Sequence, residues 1–337
     1  MIYGANGYTG ELIAREAARR GMRPVLAGRS AKRIAPLAEE LRLEHRAFPL
    51  GAVDLRGVGL VLHCAGPFVH TSAPMVEACL AERVHYLDIT GEIAVFESIY
   101  ARNLEARGAG VALIPGVGFD VVPTDCLAAR LARELPGATE LWLAFSTSRG
   151  SSASRGTMRT MIEGAGSGGA IRRDGRIERV PLAFDVQEIP FPTGARHAMT
   201  IPWGDVASAY RTTGIPNIRV YSAASKKAVA RARRLSRVAP LLGLPAVQWL
   251  AQRLVPRDAG PSAEQRERGR VEVWGRARRG GEERTATLST PDGYAFTVAS
   301  ALAAVERVLG GEVAAGALTP SQAFGADFVD TLPGVRR

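Results

Sequence analysis

Near the amino end of this chain, a short apolar segment runs into three glycines spaced three residues apart. The stretch that follows, residues 11–20, carries apolar positions at helical spacing and stops at Gly21. A strand that turns sharply into a helix needs glycine where the backbone turns, where it approaches a phosphate and where the helix packs on the strand. The spacing therefore predicts a dinucleotide-binding turn. The cofactor-binding residues predicted in it are Gly4, Asn6, Gly7, Tyr8, Thr9 and Gly10.

The end of the second predicted strand indicates which dinucleotide binds. Sites selective for NAD place a carboxylate there, which accepts from the ribose 2′-hydroxyl. This chain has Arg29 and Ser30 instead, and its next carboxylate is Glu39. Arg29 can hold a 2′-phosphate through charge-assisted bonds, Ser30 can add a hydroxyl, and Lys32 or Arg33 can add positive potential. We predict NADP(H); the alternative is a solvated basic helix start.

Composition bounds the class of protein. The chain has 337 residues, 46% of them hydrophobic, and no apolar run of membrane-spanning length, which predicts a soluble protein of two domains. Its three cysteines are too few for a disulfide framework or a zinc site, and no metal is expected. No signal peptide is visible, so we predict a cytoplasmic location. The first strand is unusually short, which suggests that the natural chain begins further upstream.

The first 125 residues alternate six predicted strands with helices, which is typical of a doubly wound parallel α/β sheet. Ligands of such sheets bind at the carboxyl ends of the strands. The second half is different: it contains several alternating strands, a hairpin around Asp174-Gly175 and few helices, which predicts an α+β domain.

Four motifs in a fixed order resemble those of the saccharopine dehydrogenase-like reductases. They are residues 4–10, 64–68, 85–92 and 118–125. Later segments, Gly260-Pro261 with Arg266 and residues 318–320, also look similar, while Asn6, His63 and Val121 depart from the usual residues. The resemblance implies an NADP-binding Rossmann domain over 1–125, an α+β substrate and dimerisation domain with a mixed sheet over 126–290, and a C-terminal segment, 291–337, that returns to the Rossmann domain.

Hydride transfer requires the nicotinamide and the substrate carbon in contact, with a proton source nearby. Five titratable groups lie near the carboxyl ends of strands four to six: His63, Asp88, Glu92, Asp120 and Asp125. We predict that Asp120, Glu92 and His63 are catalytic. Each has a structural alternative: helix capping for the two acids, and burial in the core for the histidine. The predicted wall of the cofactor pocket comprises Ala65, Gly66, Pro67, Gly118, Phe119 and Asp120.

The substrate is not specified by the sequence. The side chains of the second half that we expect to face the cleft are Arg149, Arg155, Arg159, His197, Trp203 and Tyr210. One hypothesis is reduction of a C=C or C=O bond in a lipid-like molecule, as the resemblance to trans-acting enoyl reductases implies. A second is an imine or amino-acid reductase, which would need arginines converging on carboxylates. A third is a non-catalytic NADP-binding scaffold.

Residues 206–257 contain ten Lys or Arg and no carboxylate. Within them, residues 226–235 predict a basic helix, and residues 238–254 are apolar but interrupted by Pro240 and Pro245. Two interpretations stay open: peripheral contact with an anionic membrane, or a flap that packs over the cleft or a partner subunit. We favour the second, because prolines interrupt an amphipathic face, and we predict a homodimer. Nucleic acid is not an expected partner, since no reader motif is present.

Overall fold

The computed structural model describes residues 1–148, 152–256 and 259–337. The strands of its first half are β1 (Ile2–Tyr3), β2 (Leu26–Gly28), β3 (His45–Ala47), β4 (Leu60–His63), β5 (His85–Asp88) and β6 (Ala112–Ile114). The helices between and after them are α1 (Tyr8–Arg19), α2 (Ala31–Leu41), α3 (Phe68–Ala81), α4 (Ile93–Ala101), α5 (Asn103–Ala109) and α6 (Val122–Glu134).

The second half holds a larger share of strand. Its strands are β7 (Glu140–Thr147), β8 (Gly169–Arg173), β9 (Arg176–Val180), β10 (Val186–Phe191), β11 (Gly194–Thr200), β12 (Asn217–Ala223), β13 (Arg270–Arg279), β14 (Glu282–Pro291) and β15 (Gly316–Ala317). Its helices are α7 (Arg155–Gly164), α8 (Asp205–Thr213), α9 (Lys226–Arg237), α10 (Ala239–Leu242), α11 (Pro245–Arg253), α12 (Ala263–Arg268), α13 (Gly293–Leu309) and α14 (Pro320–Phe324).

The first sheet is parallel throughout, in the order β15-β6-β5-β4-β1-β2-β3. This confirms the predicted doubly wound Rossmann sheet. The order reverses at β1, so the carboxyl ends of β1 and β4 flank the crevice where such sheets bind ligands. The sequence predicted six strands, whereas the sheet has a seventh, β15, supplied by the C-terminal segment. The sequence does not reveal β15, because this strand has only two residues, Gly316 and Ala317, which are too few to form an apolar pattern.

Helix starts differ most from the sequence expectation. The apolar periodicity predicts helix starts at residues 11, 71 and 126, whereas α1, α3 and α6 begin three or four residues earlier, at Tyr8, Phe68 and Val122. In each case the first turn is built from loop residues that follow a strand. The sequence pattern predicts one helix that follows Gly91-Glu92 and runs to residue 107, whereas the structure divides it at Arg102 into α4 and α5.

The second sheet is mixed, as predicted, with the path β10-β11-β12-β7-β13-β14. β12 and β7 are parallel, and the other neighbours on this path are antiparallel. The expected hairpin is present as β8 and β9, and its turn residues Asp174 and Gly175 have φ values of 48° and 76°. The sequence analysis missed β10, which contains Pro190 and lies at the edge of the sheet, where a missing N–H is tolerated.

Helix α6 connects the two sheets. It follows β6 of the first sheet and packs its buried Leu127 and Leu131 against Gly275 of β13. A Cβ at Gly275 would lie 2.8 Å from Leu131 Cδ1, so the two layers approach closely at this point. The close approach of α6 to β13 therefore helps to fix how the two sheets are placed. Within the described parts of the chain, no helix combines the length and the apolar character needed to cross a bilayer.

Candidate functional site

The glycine turn lies at the carboxyl end of β1. Gly4 has φ +87°, a conformation that favours glycine, and a Cβ there would lie 2.8 Å from the Ala65 amide nitrogen. A Cβ at Gly10 would lie 2.3 Å from the Gly4 carbonyl oxygen. Gly7 precedes α1 as its N-terminal flanking residue. The turn thus has the geometry that the glycine spacing predicts: a sharp bend at Gly4 and a close helix–strand approach at Gly10.

The first turn of α1 presents backbone N–H groups to the crevice. The amides of Tyr8, Thr9 and Gly10 have no acceptor within the helix, because the first residues of any helix lack one. The positive end of the helix dipole adds to their preference for an anion. This cradle fits a pyrophosphate, because its amides are free to donate to phosphate oxygens. Glycine at positions 4 and 10 makes the cradle possible, since a side chain there would collide with neighbouring backbone.

The side chain of Tyr8 points to the second half of the chain. Its hydroxyl donates to the Pro261 carbonyl at 2.6 Å and accepts from Arg266 Nη1 at 2.7 Å. Its ring meets the edge of Tyr294 with centroids 5.0 Å apart. Tyr294 in turn accepts from the Ser154 amide at the start of α7. Tyr8 therefore offers the ligand its amide, while its side chain ties the turn to α7, α12 and α13.

A cluster of cations follows β2. Arg29, Lys32 and Arg33 are exposed, and none of them makes an ion pair or a side-chain hydrogen bond within the part of the chain that the structure describes. Ser30 flanks the start of α2, and its hydroxyl makes no capping bond. Asn6 Oδ1 lies across from this edge, 3.2 Å from where a Cβ of Gly28 would be. Uncommitted cations beside an uncommitted hydroxyl are what recognition of a 2′-phosphate requires.

The opposite wall follows β4. The Thr71 hydroxyl donates to the Ala65 carbonyl at 2.7 Å and fixes the turn that continues through Gly66 and Pro67. A Cβ at Gly66 would lie 3.6 Å from Thr160 Oγ1, so α7 of the second domain covers this turn. The cofactor wall predicted at residues 65–67 therefore lies where the two halves meet.

The loop after β6 is held by Asp88. Its carboxylate accepts from the Gly116 and Thr90 amides at 2.8 and 3.0 Å and from the Tyr86 hydroxyl at 2.8 Å. Burial raises the pKa of Asp88 to about 6, although these bonds oppose the shift. Asp88 is thus a structural support for the loop rather than a group that faces the cleft.

The same loop is anchored on its other side by α13. The Phe119 amide donates to Thr297 Oγ1 at 3.0 Å. A Cβ at Gly118 would lie 3.0 Å from Thr297 Cγ2, which explains why a glycine stands there. Gly118 and Phe119 are consequently fixed in position beneath the cleft, as a pocket wall requires.

Asp120 carries the chemically most distinctive group of the site. Its carboxyl lies against Gly91 and makes no hydrogen bond to any described residue. Burial, reinforced by the nearby negative charge of Glu92, raises the pKa of Asp120 to about 7. Its backbone carbonyl accepts from Trp203 Nε1 at 2.6 Å. Asp120 does not cap α6. The N-cap residue of this helix is Val121, and no side chain at that position accepts a hydrogen bond from the first-turn amides.

Glu92 is engaged by the backbone. Its carboxylate accepts from the amides of Phe68 and Val69 at 2.7 and 2.8 Å, so it caps α3 although it stands at the start of α4. Burial raises its pKa, while these two amides favour the charged form. The capping alternative is therefore present in the structure, on a helix other than the one that the sequence suggested.

His63 lies in the core. Its side chain has no exposed surface, and its ring packs among Tyr3, Phe68 and Tyr86 with centroids 5.4 to 6.0 Å apart. Burial lowers the pKa of His63 to about 4, so the imidazole is neutral at neutral pH. The structure does not bring His63 to the cleft. As a correction to the predicted catalytic set, it is a core histidine.

Asp125, the fifth titratable candidate, is also buried. Its carboxylate accepts from the Thr212 hydroxyl and, at 2.8 Å, from the Ser321 amide. Burial raises its pKa, whereas these bonds lower it. Asp125 joins α6 to α8 and α14 and lies away from the cleft.

An aromatic row extends from Asp120 into the second domain. Phe119, Phe145 and Trp203 follow one another with ring centroids 5.9 and 5.0 Å apart. Trp203 was predicted to face the cleft. It contacts the loop after β6 directly, through the bond from its indole N–H to the Asp120 carbonyl, and indirectly, through the ring of Phe145. Phe145 was not predicted, because on β7 its apolar character does not distinguish it from core residues.

The other predicted cleft residues are dispersed. Arg159 donates to Gln252 of α11. The ring of Tyr210, on α8, packs against Arg172 of β8, whose guanidinium carbon lies 4.2 Å from the ring centroid. His197 lines a cavity of about 660 Å³ at the edge of the second sheet. Arg155 Nε is buried without a partner in the described chain, and Arg149 lies outside the described residues.

Sequence reasoning also missed Tyr294 and Thr297. They stand three residues apart on α13, and their hydroxyls contact α7 and the loop after β6 respectively. The family resemblance implied that residues 291–337 contact the Rossmann domain, and α13 lies in this range. The resemblance did not indicate which side chains of the helix make the contact.

This arrangement places a crevice between a Rossmann sheet and a mixed sheet, at the edge where doubly wound sheets bind their ligands. Residues 1–114 match the sequence model described as the saccharopine dehydrogenase NADP-binding domain. This part of the chain is therefore similar to the NADP-binding domain of saccharopine dehydrogenases, which agrees with the resemblance seen in the sequence and supports NADP(H) as the cofactor.

Curated relatives match part of the chain. A trans-acting enoyl reductase of Mycobacterium bovis is 32% identical over 138 residues, which cover 37% of this chain and 33% of the relative. A saccharopine dehydrogenase-like oxidoreductase of Mus musculus is 28% identical over 207 residues, covering 51% of this chain and 47% of the relative. The matched regions thus span a third to a half of the length of these relatives.

A solved structure matches nearly the whole chain. The apo saccharopine dehydrogenase (L-Glu forming) of Saccharomyces cerevisiae superposes with a TM-score of 0.61 over 97% of this chain and 95% of its own. The sequence identity is 12%, so the likeness concerns the fold. It includes the second domain, which the family model does not reach, and confirms the predicted combination of two sheets.

Replacing Gly10 with alanine should destabilise the protein by about 1 to 3 kcal/mol or more, because the new methyl group would overlap the Gly4 carbonyl. Urea unfolding followed by circular dichroism measures the effect. Gly108→Ala is the matched control: this helical glycine has open space around it, so alanine should be neutral or stabilise by up to about 1 kcal/mol. Equal effects of the two substitutions would contradict the close approach at Gly10.

Proposed function

We propose that this protein is an NADP(H)-dependent oxidoreductase that transfers a hydride to or from a substrate bound beside Asp120. The observation that carries the proposal is the Asp120 carboxyl, which has no hydrogen-bond partner in the described chain and a pKa near neutrality. A bound nicotinamide supplies the hydride chemistry. The first-turn amides of α1, the cations after β2 and the turns at residues 65–67 and 118–120 would hold it.

The preference for NADP(H) over NAD(H) rests on Arg29 and its neighbours. No carboxylate stands at the end of β2 to accept from a ribose 2′-hydroxyl or to repel a 2′-phosphate. Arg29, with Ser30 beside it, offers a planar set of donors for a phosphate, and Lys32 and Arg33 add charge nearby. The description of the matching family agrees with this preference.

Asp120 is the proposed proton donor in the reducing direction. Below about pH 7 its carboxyl holds a proton, and no described side chain competes for that proton. A group with a pKa near the working pH is the most effective acid or base, because it is available in either form. Trp203 holds the backbone carbonyl of Asp120, and the carboxyl itself lies against Gly91.

The lining favours an apolar substrate with a C=C or C=O bond. Phe119 and Trp203 are half-buried, stand next to Asp120 in sequence and at its backbone carbonyl respectively, and pack on the buried ring of Phe145; exposed parts of such rings bind apolar groups. The name of the mycobacterial relative points the same way. An imine or amino-acid substrate has the support of Arg155, whose buried Nε is unpaired in the described chain. A homodimer and a cytoplasmic location stay predictions from the sequence.

NADPH oxidation, measured at 340 nm with a panel of enones, ketones and imines, tests the proposal. We expect turnover of apolar enones or ketones, at rates above those of the amino-acid imines. Preferred turnover of carboxylated imines would support the second hypothesis. Tight NADPH binding without turnover of any substrate class would instead favour a scaffold and contradict the enzyme.

Replacing Arg29 with aspartate should reverse the cofactor preference. It removes the cation that would hold the 2′-phosphate and adds a carboxylate that repels it, so NADPH affinity should fall by about two orders of magnitude while NADH binding is retained. Fluorescence titration with both nucleotides measures this. Arg23→Asp, at the other end of the same β2 region, should change neither affinity. An Arg29→Asp variant that still preferred NADPH would disprove the assignment.

Replacing Asp120 with asparagine should lower the rate of reduction by about 10² to 10⁴, because it removes the proton donor. In the unsubstituted protein, kcat/KM for reduction should fall as pH rises through about 7, where the acid loses its proton. The variant should lose this break. Glu92→Gln should keep the break but move it to lower pH, since the charge of Glu92 helps to raise the pKa of Asp120. An unchanged pH profile in Asp120→Asn would exclude Asp120 as the acid.

A further inference from the structure

Residues 226–254, the three-helix segment formed by α9, α10 and α11, expose an unusual amount of apolar surface. The large side chains exposed by more than a third are Leu235, Val238, Leu241, Leu244, Val247, Trp249, Leu250 and Leu254. Leu254 is 74% exposed and Leu241 is 59% exposed. A concentration of exposed large apolar side chains within 29 consecutive residues is typical of a binding face for a protein or a membrane.

The same segment is strongly cationic. Six exposed Lys and Arg residues stand on α9, and among the described residues none of them forms an ion pair. They are Lys226, Lys227, Arg231, Arg233, Arg234 and Arg237. The Glu163 carboxylate of α7 is engaged by α11 rather than α9, because it accepts from Gln252. The charge of α9 is thus left for an external anionic partner.

The two prolines do not interrupt the apolar face. Pro240 stands in the first turn of α10 and Pro245 begins α11, positions at which a helix needs no N–H from proline. On sequence alone, these prolines favour packing over membrane contact, because they would interrupt a long amphipathic helix. Since they begin short helices instead of breaking a long one, that objection no longer applies.

The segment is attached to the second domain by a few specific contacts. Gln248 and Gln252 donate to the Glu163 carbonyl and carboxylate at 3.0 and 2.8 Å. Ser236 accepts from the Leu182 amide at 3.0 Å. Val229 and Ala239 are the buried apolar residues of α9 and α10. Polar side chains and two buried apolar residues therefore contact the domain, whereas the leucines and Trp249 stay exposed.

We propose that the three-helix segment docks on the surface of an anionic lipid bilayer. The cations of α9 would meet lipid phosphates, and the leucines of α10 and α11 would enter the boundary between headgroups and acyl chains. Trp249, with the Arg253 guanidinium 3.8 Å above its ring, is an amphipathic pair suited to that boundary. A second copy of the same face fits less well, because it would bring two cationic helices together.

The docking face is adjacent to the cleft. α11 packs on α7 through Glu163, and α7 carries Thr160, which lies over the Gly66 turn of the cofactor wall. Docking would therefore bring the cleft close to a source of apolar substrate. The proposal itself does not depend on catalysis, because membrane binding is measured without turnover.

Co-sedimentation of the full chain with vesicles tests the proposal. We expect binding to phosphatidylcholine vesicles that contain about a quarter phosphatidylserine, weak binding to pure phosphatidylcholine, and loss of binding at high salt. The triple variant Lys227→Gln, Arg231→Gln, Arg234→Gln should bind about a hundredfold more weakly, at about fivefold for each cation. Leu241→Ser with Leu250→Ser should bind at least about tenfold more weakly, because apolar area no longer enters the bilayer.

Matched controls lie outside the segment. Leu104→Ser alters a leucine that is 80% exposed on α5, and Arg176→Gln with Arg284→Gln removes exposed cations of the second sheet; none should change vesicle binding. NADPH titration verifies that each variant is folded. Absence of binding to the anionic vesicles at low salt would overturn the proposal. So would dissociation of a dimer by the leucine substitutions without any vesicle binding, since the face would then join two copies of the chain.

Discussion

The packing of α6 between the two sheets is the interaction on which the cleft depends. Leu127 and Leu131 are almost completely buried against β13, and full burial of a leucine is worth roughly 1.5 to 3 kcal/mol. Because α6 begins immediately after the Phe119–Asp120 loop, the same packing fixes where Asp120 stands. The position of the proposed acid thus depends on hydrophobic contacts of Leu127 and Leu131, which lie two to three helical turns away from it along α6.

Buried polar contacts make that arrangement specific. Asp125 of α6 accepts from Thr212 of α8 and from the Ser321 amide of α14, and Arg130 pairs with Asp327 and Asp330 near the end of the chain. A buried carboxylate or guanidinium that lost its partner would be costly, so alternative packings of α6 are disfavoured. Apolar contacts hold the helix in place, and these pairs determine its register.

Much of the fold could be predicted from the sequence because it rests on local rules. The glycine turn follows from backbone sterics within seven residues, and the parallel strands follow from continuous apolar runs. The roles of Glu92 and His63 depend on distant elements. Glu92 caps a helix that begins 24 residues earlier, and His63 is enclosed by rings from three other segments. Patterns along the sequence do not show which distant residues come into contact. Helix starts, capping partners and the burial of single polar residues could therefore be determined only from the structure.

The Tyr8 hydroxyl has a consequence for how far the two halves can be treated as separate modules. It joins the glycine turn to the Pro261 carbonyl and to Arg266, and its ring meets Tyr294, so the nucleotide cradle is built partly by residues more than 250 positions away. The edge strand β15 is likewise contributed by the chain terminus. A Rossmann domain excised at residue 125 would lose both supports. The two halves are therefore structurally interdependent, and the nucleotide cradle is complete only when the contacts at Pro261, Arg266 and Tyr294 are present.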